Sequence, residues 1–211
     1  METISLEELS AMLNPGNWEN LQLPNPDLVN YYRLAENRIF YVVNDIDLNT
    51  LEIQRAIIAI NIADQGIPYE ERQPIKILID SFGGLLSESM SIAYFITQSQ
   101  TPVYTINIAD AYSGAALIFI AGHKRYAMPY SKAMLHTGSG GTSGTFEQIE
   151  EEQKNYKKQV EGMGNFILER TGMDKKVFGR NKTKDWYFMA DEQVKYGLAH
   201  EIVTNVYDVL I

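Results

Sequence analysis

Hydrophobic and polar positions follow two rhythms along most of the chain. Short runs rich in β-branched and aromatic residues, RIFYVV (38–43), IKILID (75–80), PVYTINIA (102–109) and KAMLH (132–136), have the length and composition of strands. Between them lie LNTLEIQRAIIAINIAD and SESMSIAYFITQS, with apolar side chains at helical spacing, and SGAALIFIAG, apolar on every side as a buried helix is. Strands alternating with helices predict an α/β fold around a largely parallel sheet joined by right-handed crossovers. The first 35 residues break this rhythm. METISLEELSAML is a short acidic amphipathic start, and three prolines punctuate NPGNWENLQLPNPD. The expected organisation is an N-terminal arm over 1–35 and one domain over 36–211.

After KAMLH comes the glycine-rich stretch GSGGTSG (138–144), then a long charged segment. Phe146, Ile149, Tyr156, Val160, Met163 and Ile167 recur there at spacings of three and four, with Gln153 between, so one stripe of a helix of roughly 25 residues is apolar. At about 1.5 Å per residue, such a helix is long enough to project from a domain of this size. It either packs on the core or forms an arm that meets another subunit.

Charge and composition narrow the function. Lysine and arginine total 18 against 27 aspartates and glutamates, a formal charge of −9. No basic cluster is present to neutralise a run of phosphates, so nucleic acid is not an expected partner. The chain has no cysteine, which excludes disulfides and thiolate metal sites and favours a reducing compartment. The opening residues are acidic where a signal peptide is basic, and no segment reaches about 18 apolar residues. A cytoplasmic protein with no membrane partner is expected.

Three histidines limit the choice of general base. His123 lies in the polar turn GHKRY and His200 in GLAHEIV. His136 ends an apolar strand just before the glycine-rich stretch, and α/β folds gather reactive groups at the carboxyl ends of strands. Ser113 stands at a strand-to-helix transition, where the following amides lack intrahelical acceptors and can donate to an oxyanion; an ordinary helix N-cap reads the same way. The paired glycines of SFGG (81–84) let a backbone N–H approach a substrate carbonyl closely, or make a simple turn. Asp185, flanked by Trp186, Tyr187 and Phe188, reads singly as a surface residue or helix cap; partial burial among those rings is the alternative and then requires a partner such as an imidazole N–H.

Taken in order, SFGG, AYSGAALIFIAG, MPYSKAMLH and KDWYFMADEQVKYGLAHEIV resemble the segments of Clp-type serine peptidases, the ClpP proteolytic subunits, over roughly residues 36–205. The resemblance implies a ClpP/crotonase-like fold, a repeated β-β-α superhelix with a projecting handle over 137–171. It implies Ser113 as nucleophile, His136 as base and Asp185 as third member of a triad, with the amides of Gly84 and Gly114 as oxyanion donors and no cofactor. The order Ser, His, Asp differs from the Ser, Asp, His of α/β-hydrolases, whose G-x-S-x-G elbow is absent here. The resemblance further implies heptameric rings, stacked as a 14-mer through the handle helices. Their chamber would admit short or unfolded peptides, fed by an AAA+ unfoldase.

Several positions depart from the family pattern. Phe82 replaces a proline before the glycines. Lys76, Leu78 and Gln98 stand where aromatic residues usually form the unfoldase docking pocket, so docking of the usual kind is not expected. Lys184 replaces an arginine and lacks its planar fork. The insertion GIPYEERQ also lies outside the match. Such departures fit a phage or accessory paralogue. The rival readings are a noncatalytic ClpP-like structural subunit, a phage prohead-type protease and a crotonase-like acyl-CoA enzyme.

Overall fold

A computed structural model describes residues 25–138 and 140–211. The chain divides into two compact units between Asn37 and Arg38. In the first, helix α1 (Pro26–Glu36) starts where the Asn25 side chain accepts the N–H of Asp27 at 2.9 Å and a proline takes the first helical position. The part of the expected arm before Asn25 lies outside the described residues.

The second unit contains strands β1 (Ile39–Ile46), β2 (Ile75–Gly84), β3 (Val103–Tyr112), β4 (Lys124–Ala127), β5 (Lys132–Leu135), β6 (Trp186–Met189) and β7 (Glu201–Ile202). Its helices are α2 (Glu52–Ala63), α3 (Leu86–Gln98), α4 (Gly114–Ala121), α5 (Phe146–Thr171), α6 (Lys175–Asn181), α7 (Ala190–Lys195) and α8 (Tyr207–Leu210). The parallel order is β1-β2-β3-β4-β7. Strand β3 is shared: residues 104–107 pair with β4, and residues 110–112 leave it to pair with β5. Strand β5 then pairs antiparallel with β6. The expected α/β fold with a largely parallel sheet is present, and this one antiparallel step carries the chain back beside the end of β5.

Helix α4 is buried along its whole length, which explains its apolar character on every side. A helix end so enclosed needs partners for its last carbonyls. Two arginines supply them: Arg125 donates to Ile120 O at 3.2 Å, and Arg170 donates to the carbonyls of Ile120, Ala121 and Gly122 at 3.2, 3.0 and 2.9 Å. Burial, helped by the neighbouring Arg170 charge, lowers the Arg125 pKa to about 10. A second anchor joins the start of β1 to the end of α2. The Arg38 guanidinium grips Asp64 through two bonds of 2.7 Å, and the Thr101 hydroxyl donates to the same carboxylate at 2.7 Å. The bond from Arg38 holds the Asp64 carboxyl below the usual range despite its burial.

The long helix packs on the core through its C-terminal half and leaves its N-terminal half in solvent. Thr145 and Gln148 form a capping box at its start and Gly172 ends it in the left-handed conformation. Met163 and Ile167 are buried in the core, whereas Phe146 is 76% exposed and almost every residue from 146 to 159 faces solvent. No described helix is long and apolar enough to cross a membrane.

Two histidines act as neutral acceptors for the sheet. His123 Nδ1 accepts the N–H of Val103 at 3.0 Å, and His200 Nδ1 accepts the N–H of Arg125 at 3.0 Å. Burial lowers the pKa of both, reinforced by Arg170 at His123 and by Arg125, Arg170 and Lys124 at His200. Below about pH 6.5 the unfolded chain therefore takes up protons that the folded chain refuses, and stability falls as pH falls. Each such proton contributes a slope of at most about 1.4 kcal/mol per pH unit. The unfolding free energy from urea titration is expected to be lower at pH 5.5 than at pH 7.5, by up to about 1.4 kcal/mol for each histidine, and the double variant His123→Asn, His200→Asn, which keeps an acceptor at each place, to show a smaller difference.

Candidate active site

Strand β3 ends in a sharp elbow at Ser113, which adopts φ 53° and ψ −120°, a conformation that costs a non-glycine residue free energy. Surrounding backbone imposes it. The Ser113 N–H donates to Met134 O of β5 at 2.8 Å, and the Ser113 carbonyl accepts the N–H of Ala116 at 3.1 Å. The Ser113 hydroxyl makes no N-cap bond to α4, so the ordinary capping role that the sequence allows is not the one adopted.

Three glycines let the chain segments close on this elbow. Gly83 has φ +99°, and a Cβ there would lie 2.8 Å from the Ser113 Cβ and 2.7 Å from Tyr112 O. A Cβ on Gly84 would fall 2.2 Å from Ile46 O, and one on Gly114 2.2 Å from the Ser89 Oγ. The small residues after Ser113 thus serve the close packing of α4 on α3. The Gly83 N–H is already used, donating to the Ser81 Oγ at 3.1 Å, while the Ser81 hydroxyl donates to Asn44 O. Gly114 opens α4, where an amide has no intrahelical acceptor. The place of its missing Cβ is 3.5 Å from the Gly84 nitrogen, so the two backbones run side by side.

His136 follows directly from the strand register. Met134 O holds the Ser113 amide, and two residues on, His136 Nε2 lies 2.7 Å from the Ser113 Oγ. Across the antiparallel pair, Leu135 faces Trp186, which sets Asp185 beside His136. Its Oδ1 is 3.2 Å from His136 Nδ1. The structure brings Ser113, His136 and Asp185 into one chain of contacts. Asp185 is not buried as its aromatic neighbours suggested: its side chain is 58% exposed against 22% for His136. Trp186 and Phe188 pack instead on each other and on Tyr196, leaving the carboxylate at the rim.

These groups open into a cleft of about 730 Å³ lined by Ser113, His136, Gly84, Leu117, Met163 and Tyr156 among others. Its floor is positioned by a buried amide pair that sequence reasoning missed. Gln193, fully buried on α7, accepts from Asn107 Nδ2 at 3.0 Å and donates to Ser131 O at 3.0 Å, and Asn107 also donates to Lys132 O at 2.9 Å. The pair fixes β5, the strand that carries His136. The available signal was an asparagine in the middle of the apolar strand PVYTINIA, since a buried amide needs partners.

The other singled-out residues lie elsewhere. His123 and His200 bond to the sheet, away from Ser113. Lys76 donates from Nζ to Leu210 O at 2.9 Å, and burial lowers its pKa. Leu78 is 4% exposed, while Gln98 and Lys184 face solvent.

The profile of the Clp protease family matches residues 27–206. The match begins within α1, further toward the N-terminus than the motifs alone reach. The ATP-dependent Clp protease proteolytic subunit 2 of Treponema denticola is 34% identical over 139 residues, which is 65% of this chain and 70% of that protein. The matched span takes in the parallel sheet, the elbow and the returning strand β6, and on that basis the chain belongs to the Clp protease family, a family of serine peptidases.

Proposed function

We propose that this chain is a serine endopeptidase subunit whose triad is Ser113, His136 and Asp185. The observation that carries the reading is the continuous path from Ser113 Oγ to His136 Nε2 at 2.7 Å and from His136 Nδ1 to Asp185 at 3.2 Å. Ser113 Oγ attacks a peptide carbonyl while His136 takes its proton. The negative charge that develops on the carbonyl oxygen falls to the amides of Gly84 and Gly114; one such donor typically stabilises the transition state by about 3 kcal/mol. His136 then protonates the leaving amine, and water releases the acyl group by the same steps in reverse. Asp185 orients the imidazole and supports its positive charge, an interaction weakened by solvent at an exposed carboxylate.

The exposed half of α5 supports assembly into heptameric rings stacked as a 14-mer. It presents Phe146 to solvent, and its charge changes sign along its length, from Glu147, Glu150, Glu151 and Glu152 to Lys154, Lys157 and Lys158. Two such helices laid antiparallel set acid against base. A closed chamber then limits substrates to short peptides or unfolded chains, delivered by a partner ATPase. Lys76 tied to Leu210 O and the buried Leu78 offer no aromatic pocket at those positions, so any partner ATPase docks through other contacts.

A fluorophosphonate is expected to label Ser113, and Ser113→Ala or His136→Ala to lower kcat on a fluorogenic peptide by at least about a thousandfold. A folded, assembled protein that is neither labelled nor slowed by these changes is a structural subunit instead. Gly83→Ala forces a Cβ against the elbow and is expected to reduce kcat at least about a hundredfold and destabilise the fold by about 1–3 kcal/mol, measured by peptide turnover and urea unfolding. Sedimentation at micromolar concentration is expected to show species many times the 24.0 kDa monomer; monomer mass alone overturns the ring assembly.

A further inference from the structure

Tyr156 stands on α5 where its charged face meets the cleft, and it is 38% exposed. Its hydroxyl donates to Thr137 O at 3.2 Å, one residue beyond His136. Gly138 makes room for this hydroxyl. Gly138 has φ +86°, and a Cβ there would lie 2.9 Å from the Tyr156 hydroxyl oxygen; a Cβ on Gly140 would touch the ring edge at 4.0 Å. On one side of the ring is the cleft with Ser113, Leu117, Met163 and Ile167. On the other is a separate cavity of about 310 Å³ lined by Gly140, Thr142, Glu152, Asn155 and Gln159. Among the described residues Tyr156 alone lines both.

We propose that Tyr156 is a specificity-determining residue: its ring is the partition that ends the side-chain site of the cleft and so caps the size of the residue supplying the scissile carbonyl. The inference rests on the peptidase reading given above. The side chain beside a carbonyl held at Ser113 Oγ is assigned to the apolar part of the cleft, which Leu117, Met163, Ile167 and Tyr156 line. Leucine or methionine fills the space in front of the ring. A larger aromatic side chain meets it. The bond to Thr137 O keeps the ring from swinging aside, and the same bond steadies the backbone that follows His136.

The test is a series of fluorogenic peptides that differ only in the residue before the cut, from alanine through leucine and phenylalanine to tryptophan, assayed on the assembled full chain with active sites counted by fluorophosphonate. The wild-type protein is expected to prefer leucine to tryptophan. In Tyr156→Ala and Tyr156→Leu the two cavities join, and the ratio of kcat/KM for tryptophan over leucine is expected to rise about tenfold or more, mainly through KM. Tyr156→Phe keeps the partition and is expected to keep the ratio within about twofold, with a lower kcat on every peptide. A ratio that stays fixed in all three variants while Ser113 still labels overturns the partition alone. Failure of the wild-type protein to label or to cleave any peptide overturns the peptidase reading and the partition with it.

Discussion

The constraint on which the site depends is the contact of bare backbone with bare backbone around Ser113. Gly83 presses on the elbow, Gly84 on the end of β1, Gly114 on the hydroxyl of α3, and the Ser113 amide is spent on β5. Apart from the Ser89 hydroxyl no long side chain separates these segments, so the positive φ of Ser113 is held by the positions of four chain segments and not by one bond. Sheet geometry alone then delivers the imidazole, because His136 lies two residues beyond the carbonyl that holds the elbow. Interiors packed at this density transmit small displacements, which ties the hydroxyl's direction to the register of strands far from it.

The long helix links this elbow to the outside. Its buried half, through Met163 and Ile167, forms one wall of the cleft, while its first half stands in solvent. Tyr156 lies where the two regimes meet. Gly138 leaves space for its hydroxyl, and the cleft and the exposed helix share one aromatic ring.

Much of this arrangement was legible in the sequence. Strands β1, β2, β3 and β5 and helices α2, α3 and α5 follow recognisable patterns, α4 is apolar throughout, and their order points to a parallel sheet. The short strands were not legible. Lys124–Ala127 opens on two charged residues, and Trp186–Met189 shows as an aromatic cluster whose alternation, Phe188 buried between exposed Tyr187 and Met189, emerges only once it pairs with β5. The surface reading of Asp185 holds and the burial reading does not, since the indole and phenyl rings turn toward Tyr196 and leave the carboxylate wet. Ser113, His136 and Asp185 could be named by resemblance, but as isolated residues a capping serine or a structural histidine read equally well. The roles of Gly83, Asn107 and Gln193 depend on which segments end up adjacent, information that local pattern does not hold.

The elbow's dependence on distant segments has a temporal side. Ile46, Gly83, Ser113, Met134 and Asp185 are spread over most of the chain, and pairings so remote in sequence form slowly because long loops must close first. During synthesis the elbow, His136 and Asp185 come together only after the segment that carries Asp185 has emerged, so the site is a late product of folding.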